Sequence, residues 1–460
     1  NPALLGVDLG GRRIIKQKTI TNYGMGAWSD KLVVRPYRAF FDIGDMDSEE
    51  WGKIVADVLD RSFRLDGLSP SEASEALTEK LRGGIRVYAG GRTSLLSFAQ
   101  NHFALDVTTR LDEEVRFPEG PLLMLFSETE GLQRGKTLDF SDLRQEAIWA
   151  TDVTFHLGLP VSIPALHDLF KLRYGAGGVG IKYVMGHSIL RTQVNKGTLK
   201  YVDHAQTGEQ NLKVDGELTV QTAGTGFRDR WDFTSPFKNG LPVSGHGIGG
   251  EIGGILYDDK GALTINVEDL GVLFWVSDVR EVTYRIKKDD LDIYDIIDGV
   301  EQADGDGKEA KLKIFDRDED EYITHENDRF EDANGFVTLL PLNLNIGYAR
   351  FWDFEKVSRQ GLRFLAEYAK AGANYQQQLT PGPGRSFVPR LSIGGEAGTM
   401  RGYFPVRVGW ILGGPEKVAS TVGFGFNFRY FSIHAAYKAV GFPLWYPRRG
   451  FELAGGLNVN

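Results

Sequence analysis

Near its C-terminus the chain alternates between large apolar residues and small or polar residues with a period of two. In residues 421–430 the apolar members fall on one face, and glycine, asparagine and arginine fall on the other. A two-residue period predicts a β-strand, because successive side chains point to opposite faces. Residues 406–412 and 451–459 repeat the pattern. Each segment is about ten residues long, which suits a tilted strand that crosses a bilayer.

The two faces of these strands differ in a way that favours a membrane. A soluble sandwich buries its aliphatic face against a second sheet and leaves the other face in water. Here the face opposite the aromatics is rich in glycine as well as charge, which a crowded, wet barrel interior can hold. Closing the sheet removes edges that lipid cannot satisfy. The pattern predicts an all-β fold, a transmembrane antiparallel β-barrel. A large soluble β-sandwich or propeller is the alternative, and the absence of a fixed-period repeat disfavours the propeller.

Weaker versions of the pattern predict most of the remaining wall. Bacterial barrels prefer even strand numbers, so we expect about 14 strands. The further strands are predicted at residues 85–98, 103–107, 153–159, 179–185, 199–202, 212–222, 248–257, 263–268, 272–276, 282–286, 342–348 and 362–368.

Helical spacing and irregular stretches interrupt this series. Residues 1–45 are extended but too irregular for full spans. Capping residues and helical apolar spacing predict short helices at 48–59 and 69–81. A partly helical connection is expected at 118–149, and another short helix at 164–172. Residues 1–84 therefore form an N-terminal segment, and residues 85–460 form the barrel, with short helices in its connections.

Composition excludes several classes of protein. The chain has 460 residues, 57 glycines, no cysteine and a net charge of −9. It has no run of eighteen apolar residues, which excludes a helical membrane protein. The lack of cysteine excludes disulfides, thiolate metal sites and a catalytic thiol. The acidic balance argues against nucleic acid as a partner. The start, without an initiator methionine or a charged-then-apolar leader, indicates a processed or trimmed chain, so the missing signal peptide does not argue against export.

An acidic insertion at residues 289–334 carries the strongest metal-binding pattern. Carboxylates at the first, third and fifth positions and a backbone carbonyl at the seventh are how a loop wraps Ca²⁺. The candidate ligands are Asp316, Asp318, Asp320, Tyr322 and Asn327. Glu321 stands where such a loop needs glycine, and a solvated acidic loop is the other interpretation. The insertion cannot lie in hydrocarbon, which predicts an extracellular position.

Two motifs resemble enzyme signatures but lack the required context. Residues 175–180 fit a dinucleotide fingerprint, yet the residues that follow alternate as a strand, whereas the phosphate site needs a helix N-terminus. Residues 186–190 resemble a nucleophile elbow without its closing glycine. The sequence therefore predicts a protein that is not an enzyme.

The polar positions opposite the apolar ones predict the lining of the lumen. These side chains would pair across the lumen or line a polar path. The predicted inward-facing residues are Arg363, Glu367, Glu396, Arg407, Asn427, Arg429 and Glu452. His156 and His434 fall on the same face, where isolated histidines are typically hydrogen-bonded wall residues. Other aromatic side chains are predicted to lie in the girdles at the two membrane interfaces. They are Trp410, Tyr430, Tyr437, Trp445 and Tyr446.

The N-terminal pattern adds a family resemblance. The Asn1-Pro2-Ala3 start, the irregular stretch, two predicted helices before the first regular strand, and the long glycine-and-aromatic barrel follow one another. Together they resemble the long-chain fatty-acid transporter (FadL-type) outer-membrane superfamily, including the PorV-like barrels of type IX secretion. The resemblance implies a fourteen-stranded barrel with an N-terminal luminal hatch that includes Asn1, Pro2 and Ala3. The acidic insertion and the helical connection depart from the family pattern.

The resemblance implies passive, hatch-gated transport of hydrophobic small molecules, lipid-like or fatty-acid-like, across the bacterial outer membrane. The expected surroundings are membrane lipid and lipopolysaccharide. A non-transporting barrel that anchors or hands over a secreted or surface protein through its acidic extracellular loop is the alternative. A barrel-embedded lipid hydrolase, the third hypothesis, lacks a catalytic constellation.

Overall fold

The computed structural model describes most of the barrel wall and part of its connections. The described residues are 31–42, 84–100, 102–120, 137–161, 170, 172–203, 210–224, 243–258, 260–292, 323–325, 331–332, 334–353, 368–399, 403–428, 431–441 and 450–459. Within these ranges, no helix is both long and apolar enough to cross a bilayer.

The described residues form 20 strands in one sheet, and every pairing is antiparallel. The strands are β1 (Lys31–Asp42), β2 (Ile85–Gln100), β3 (Phe103–Phe117), β4 (Thr137–Asp139), β5 (Arg144–Pro160), β6 (Tyr174–Asp203), β7 (Gln210–Ala223), β8 (Gly245–Tyr257), β9 (Gly261–Trp275), β10 (Arg280–Asp292), β11 (Ile323–His325), β12 (Glu331–Asp332), β13 (Phe336–Leu339), β14 (Asn343–Asp353), β15 (Tyr368–Gln378), β16 (Arg390–Thr399), β17 (Phe404–Gly413), β18 (Val418–Asn427), β19 (Phe431–Val440) and β20 (Gly450–Val459).

Fourteen of these strands pair in a ring. The pairing runs from β1 through β2, β3, β5, β6, β8, β9 and β14, and then through each strand in turn to β20. β20 pairs with β1, so the series of pairings returns to its start. The short β13 lies end to end with β14 along β9. The prediction of an antiparallel barrel of about 14 strands is confirmed.

The outer face of the ring is apolar, as the alternation predicts. On β17, Val406, Val408, Trp410 and Leu412 are 45–51% exposed, whereas Gly409 between them is buried. The same division recurs on β6, β8, β16 and β20. A continuous apolar surface of this extent is not stable in water, because each exposed large side chain forgoes about 1.5 to 3 kcal/mol of burial. Acyl chains of a bilayer satisfy it.

The two ends of the ring differ in the length of their connections. At the end that carries the start of β1 and the end of β20, four connections span only residues 101–102, 258–260, 400–403 and 428–430. We call this the short-turn end. At the opposite, long-loop end, β9 and β14 are joined through residues 276–342, which include the acidic insertion. Outer-membrane barrels keep short turns in the periplasm and long loops outside the cell.

A sheet projects from the ring at the long-loop end. The first half of β6 pairs with β8, but its second half pairs with β7, which in turn pairs with β10. β11 and β12 add to β10, and β4 adds to β6. The predicted strands at 179–185 and 199–202 are therefore one strand. Parts of the acidic insertion expected to be loop are strands instead, because β10 reaches Asp292 and carries short partners.

A dry apolar cluster fills the inside of the barrel where the projection begins. Leu273 and Trp275 on β9 are 1% and 0% exposed, whereas Phe274 between them faces outward at 45%. A Cβ at Gly186 or Gly245 would lie 2.7 or 2.9 Å from the Trp275 ring, so the ring packs directly on backbone. Residues from β5, β6 and β7 complete the cluster. Among the described residues, the cluster lies on the side of the lumen formed by β5, β6, β7 and β9.

One prediction about the N-terminal segment is wrong. Residues 31–42 form β1 and pair on both edges, so this part of residues 1–84 belongs to the wall. The connection at 118–149, predicted to be partly helical, is helical at residues 119–120 and forms β4 and the start of β5 after residue 136, and residues 121–136 lie outside the described part. Strand ladders satisfy the backbone here more completely than short helices would, because the partners β3 and β6 run past the ring.

Several predictions fall outside the described residues. The hatch with Asn1, Pro2 and Ala3 and the helices at 48–59 and 69–81 are among them. So are most of the helix at 164–172 and of the strand at 362–368, although β15 begins at Tyr368. These stay predictions.

Candidate functional site: the lumen

Ionic networks and a polar cavity occupy the inside of the barrel. The first network is centred on Lys182 of β6, which contacts Asp269 and lies 3.2 Å from Glu251 and 3.9 Å from Asp152. Arg110 of β3 lies 3.9 Å from Asp152. Removing charges from water costs several kcal/mol for each ion, so buried charges are found paired. This network links five neighbouring strands, β3, β5, β6, β8 and β9.

Asp269 reaches the network through an unusual backbone geometry. Its φ is +60°, and the register between β8 and β9 shifts beside it. A β-bulge of this kind turns a side chain to the other face of a strand. The sequence predicts two strands, 263–268 and 272–276, with a break at this point. The structure shows one strand with a bulge, because Lys182 holds the extra residue in place.

The second network surrounds Glu114 of β3 near the long-loop end. Its carboxylate accepts hydrogen bonds from Arg86 at 2.6 Å and from Arg116 at 2.5 Å, and Arg144 lies 3.7 Å away. It also accepts a bond at 2.7 Å from the backbone N–H of Gly384, which lies in the loop between β15 and β16.

The third network lies near the short-turn end. Glu396 of β16 accepts hydrogen bonds from Arg407 at 2.7 Å, from the Tyr368 hydroxyl at 2.7 Å and from Lys370 at 3.2 Å. Arg407 in turn lies 3.2 Å from Nδ1 of His434. Glu396 and Arg407 thus lie on the inner face and contact each other across adjacent strands.

The fourth network lies at the long-loop end on the wall opposite Glu114. Glu416, in the turn between β17 and β18, lies 2.8 Å from Lys438 and 3.3 Å from Arg390. Lys438 also pairs with Glu452 at 2.5 Å. Burial acts to raise the pKa of Glu416, but the cations of Lys438 and Arg390 outweigh it and hold that pKa below its usual range.

A cavity of about 370 Å³ lies inside the long-loop end of the lumen, between the second and fourth networks. Its volume is in the range of small-molecule sites. Its lining is unusual for such a site because charged and amide side chains dominate it. The polar lining residues are Tyr88, Arg92, Asp112, Glu268, Asp269, Asn343, Asn374, Gln376, Gln378, Arg385, Ser386, Arg390, Ser392, Glu416, Lys438 and Glu452.

The remaining predicted lumen residues divide between described and undescribed parts. Asn427 ends β18, where its backbone N–H donates a 2.8 Å bond to the Tyr403 carbonyl. Arg363, Glu367 and Arg429 lie outside the described residues. The calcium candidates Asp316, Asp318, Asp320, Tyr322 and Asn327 do so as well, and calcium binding stays a prediction. Elsewhere among the described residues, no group of three acidic or histidine side chains is arranged to hold a metal.

Both enzyme-like motifs lie within β6. Residues 175–180 pair with β5 and β8, and no helix follows them. Ser188 is buried, and its hydroxyl donates to the Ala223 carbonyl at 3.1 Å. His187 beside it lies 2.8 Å from the hydroxyl of Thr151. The two side chains thus bond to different partners, and His187 lies at a shift in the register between β5 and β6.

Lys182, Glu114 and Lys438 are luminal residues that we did not single out from the sequence. The signal was available for Lys182, because it alternates with apolar Ile181 and Tyr183 in a predicted strand. For Glu114 the strand prediction stopped at residue 107. Continuing the alternation of residues 103–107 as far as residue 114 places Glu114 on the inner face.

Known proteins give limited but consistent parallels. No curated protein matches the sequence. Solved structures to which the chain is similar include a TodX deltaS2S3 mutant, a monoaromatic hydrocarbon channel (9% identity, 98% of this chain and 93% of that chain, TM-score 0.33). Another is a Pseudomonas aeruginosa FadL homologue (9%, 93% and 89%, TM-score 0.37). A third is the translocator domain of the autotransporter NalP from Neisseria meningitidis (8%, 97% and 91%, TM-score 0.30).

Structures of the superfamily implied by the N-terminal resemblance are thus among these matches. Because the TM-scores lie below 0.5, the fourteen-strand architecture rests on the strand pairings themselves. One protein-family model matches residues 55–414, which is most of the chain and most of the barrel wall. The chain therefore belongs to the family described as DUF5723, a family of unknown function.

Proposed function

We propose that this protein is a bacterial outer-membrane β-barrel through which small molecules pass passively. The observation that carries the proposal is the polar cavity of about 370 Å³ inside a ring whose outer face is apolar. A barrel that served only as an anchor would gain stability from a filled interior, because empty volume forfeits packing. Short turns at one end and long loops at the other support the orientation of an outer-membrane protein.

The hydrophobic ligand implied by the resemblance remains part of the proposal. Several of the similar structures are channels for monoaromatic hydrocarbons by their titles. Such a ligand needs an apolar pocket, and the apolar cluster around Trp275 is already filled by its own side chains. Residues 1–30 and 43–83, the predicted hatch, would have to supply it. A Ca²⁺-binding extracellular insertion at 289–334 also remains a proposal.

Permeation through reconstituted vesicles tests the proposal. We expect arabinose to swell vesicles that contain the protein at least about tenfold faster than vesicles without protein. Ser392 lines the cavity, so Ser392→Trp should slow the swelling severalfold by filling that space. Ile393 is its neighbour on β16 and faces outward at 47% exposure, so Ile393→Trp should leave the rate unchanged.

Equal rates with and without protein, for arabinose and for a fluorescent long-chain fatty acid alike, would contradict passive transport. They would leave the anchoring of a secreted or surface protein as the better explanation.

A further inference from the structure

The loop between β15 and β16, residues 379–389, crosses the lumen. β15 and β16 are adjacent strands, yet the middle of the loop contacts β2 and β3. Seven steps around the ring of fourteen separate β2 from β15, and seven separate β3 from β16. The loop therefore reaches the diametrically opposite wall. We call these residues the luminal strap.

Two hydrogen bonds join the strap to the opposite wall. The backbone N–H of Gly384 donates to Oε2 of Glu114 at 2.7 Å, and Nη2 of Arg86 donates to the carbonyl of Arg385 at 2.7 Å. Arg86 also pairs with Glu114 at 2.6 Å. The two wall residues that bond to the strap are therefore joined to each other by an ion pair. Bonds to ionised partners are about twice as strong as neutral ones.

The shape of the contact is specific to glycine. Gly384 has φ of +66°, and a Cβ there would lie 1.9 Å from Cζ of Tyr88. The Tyr88 ring is held in place because its hydroxyl donates to Asp112 at 2.9 Å. Any side chain at position 384 would therefore push the strap away from the wall.

The strap is also braced at its origin. The Thr380 hydroxyl donates to the Leu340 carbonyl at 2.9 Å and accepts from the Leu342 N–H at 2.7 Å. Nε2 of Gln377 donates to the Phe387 carbonyl at 2.7 Å. Three prolines in residues 381–389 restrict the backbone further. These restraints favour a strap that holds one position across the lumen.

The cavity beside the strap has a defined chemistry. Four amides line it from β14 and β15, and each can make up to four hydrogen bonds. Bonds from Gln376 to Asn343, from Asn343 to the Pro341 carbonyl and from Gln378 to the Thr380 carbonyl use only part of this capacity. The amides are Asn343, Asn374, Gln376 and Gln378. Charged groups of both signs also line the cavity and nearly balance, and Glu416 is paired with both Lys438 and Arg390. They are Arg92, Arg385, Arg390, Lys438, Asp112, Glu268, Asp269, Glu416 and Glu452. An ion would have to compete with these pairs, whereas an uncharged polar solute needs only hydrogen bonds from the amides.

We propose that the luminal strap is the constriction of the passage, and that the cavity beside it selects small, uncharged, hydrogen-bonding solutes over ions of similar size. This inference rests on the proposed passive transport and names the solute class of the polar cavity alone, which is distinct from the hydrophobic ligand that the predicted hatch would have to hold.

Labelling of a single cysteine reports the position of the strap without any reference to transport. The chain has no cysteine, so Ser386→Cys alone can be labelled with a membrane-impermeant maleimide. Glu114→Ala removes the anchor, and we expect labelling to quicken by about tenfold, the size of one charge-assisted bond. Glu114→Gln keeps a hydrogen-bond acceptor but loses the charge, so its labelling rate should lie between that of the protein with Glu114 and that of Glu114→Ala. Glu217→Ala removes an ion pair with Arg285 between β7 and β10 of the projecting sheet, away from the strap, and should change nothing.

Permeation then tests selectivity in the same preparations. Wild-type protein should pass arabinose about tenfold faster than gluconate, and Glu114→Ala should reduce this ratio severalfold and admit larger sugars. If Glu114→Ala does not form a heat-modifiable barrel, Gly384→Ala provides an independent release of the strap. Equal passage of arabinose and gluconate by the wild type, or an unchanged size limit after release, would overturn the proposal. Faster labelling with no permeation in any variant would instead show that the proposed transport is wrong while the strap is as described.

Discussion

Each buried charge among the described residues inside this barrel lies close to a group of opposite charge, as Lys182 shows. Lys182 lies among Asp152, Glu251 and Asp269, each from a different strand. Three carboxylates so close together repel one another, and taking each of them out of water is costly unless a cation pairs with it. The lysine therefore works as a cross-link between strands as well as a wall residue.

Lys182→Met tests this role. The substitution keeps the volume but leaves three carboxylates without their shared cation, and we expect a loss of about 3 to 5 kcal/mol in the free energy of unfolding. Urea unfolding from lipid vesicles would measure it. Ile181→Met, on the lipid-facing side of the same strand, is the control and should cost less than about 1 kcal/mol. A similar small loss for both variants would show that the network does not hold the strands together.

Along a single strand, the same alternation gives one face suited to lipid and one face suited to the aqueous lumen. Wall strands whose side chains are described, such as β17 with Trp410 and Arg407, present apolar side chains to lipid and glycine or charge to the lumen. The requirement is strict because a one-residue slip would exchange every side chain between the faces. Strand register is therefore coupled to membrane insertion.

The lipid-facing role of β17 predicts a dependence on depth. Val408→Arg places a charge near the middle of the strand and should cost about 2 to 4 kcal/mol, whereas Tyr403→Arg at its start should cost about 0 to 1 kcal/mol. Both positions are similarly exposed, at 45% and 48%, so depth is the main difference. Urea titration of vesicle-bound protein measures both. Equal costs would indicate that this face contacts water or protein instead of lipid.

At the scale of the whole molecule, β1 decides whether the sheet has edges. It pairs with β2 on one side and with β20 on the other, so it joins the two ends of the chain. An open sheet would leave unpaired backbone groups in hydrocarbon, at a cost of several kcal/mol for each group. The ring is therefore the only arrangement of these strands that lipid tolerates.

Truncation separates wall from hatch. A chain exported without residues 1–30 should still fold into a heat-modifiable barrel, because β1 remains. Removing residues 1–42 should abolish that barrel, since β2 and β20 then lose their shared partner. Migration of unheated samples on gels is the measurement. Equal folding of the two truncated chains would show that β1 does not close the ring.

The class of fold can be predicted from the alternation of apolar and polar residues, and the same alternation predicts inward positions for Glu396, Arg407 and Glu452. These predictions follow from a local two-residue period that needs no knowledge of distant contacts. The wall strand at irregular residues 31–42 and the inward turn of Asp269 at a bulge could not be predicted in this way, because both depend on pairing with distant strands. Ring closure and the Lys182 network impose both.

At the candidate site, the contacts of the luminal strap likewise could not be predicted from the local sequence. Gly384 and Glu114 are separated by 270 positions in the chain, and nothing in the local pattern of either predicts the other. Their contact exists because the ring places β3 and β16 on opposite walls at a distance that one short loop can span. Periodicity reports which way a side chain points, but what it meets across a lumen depends on the number and order of the strands that enclose it.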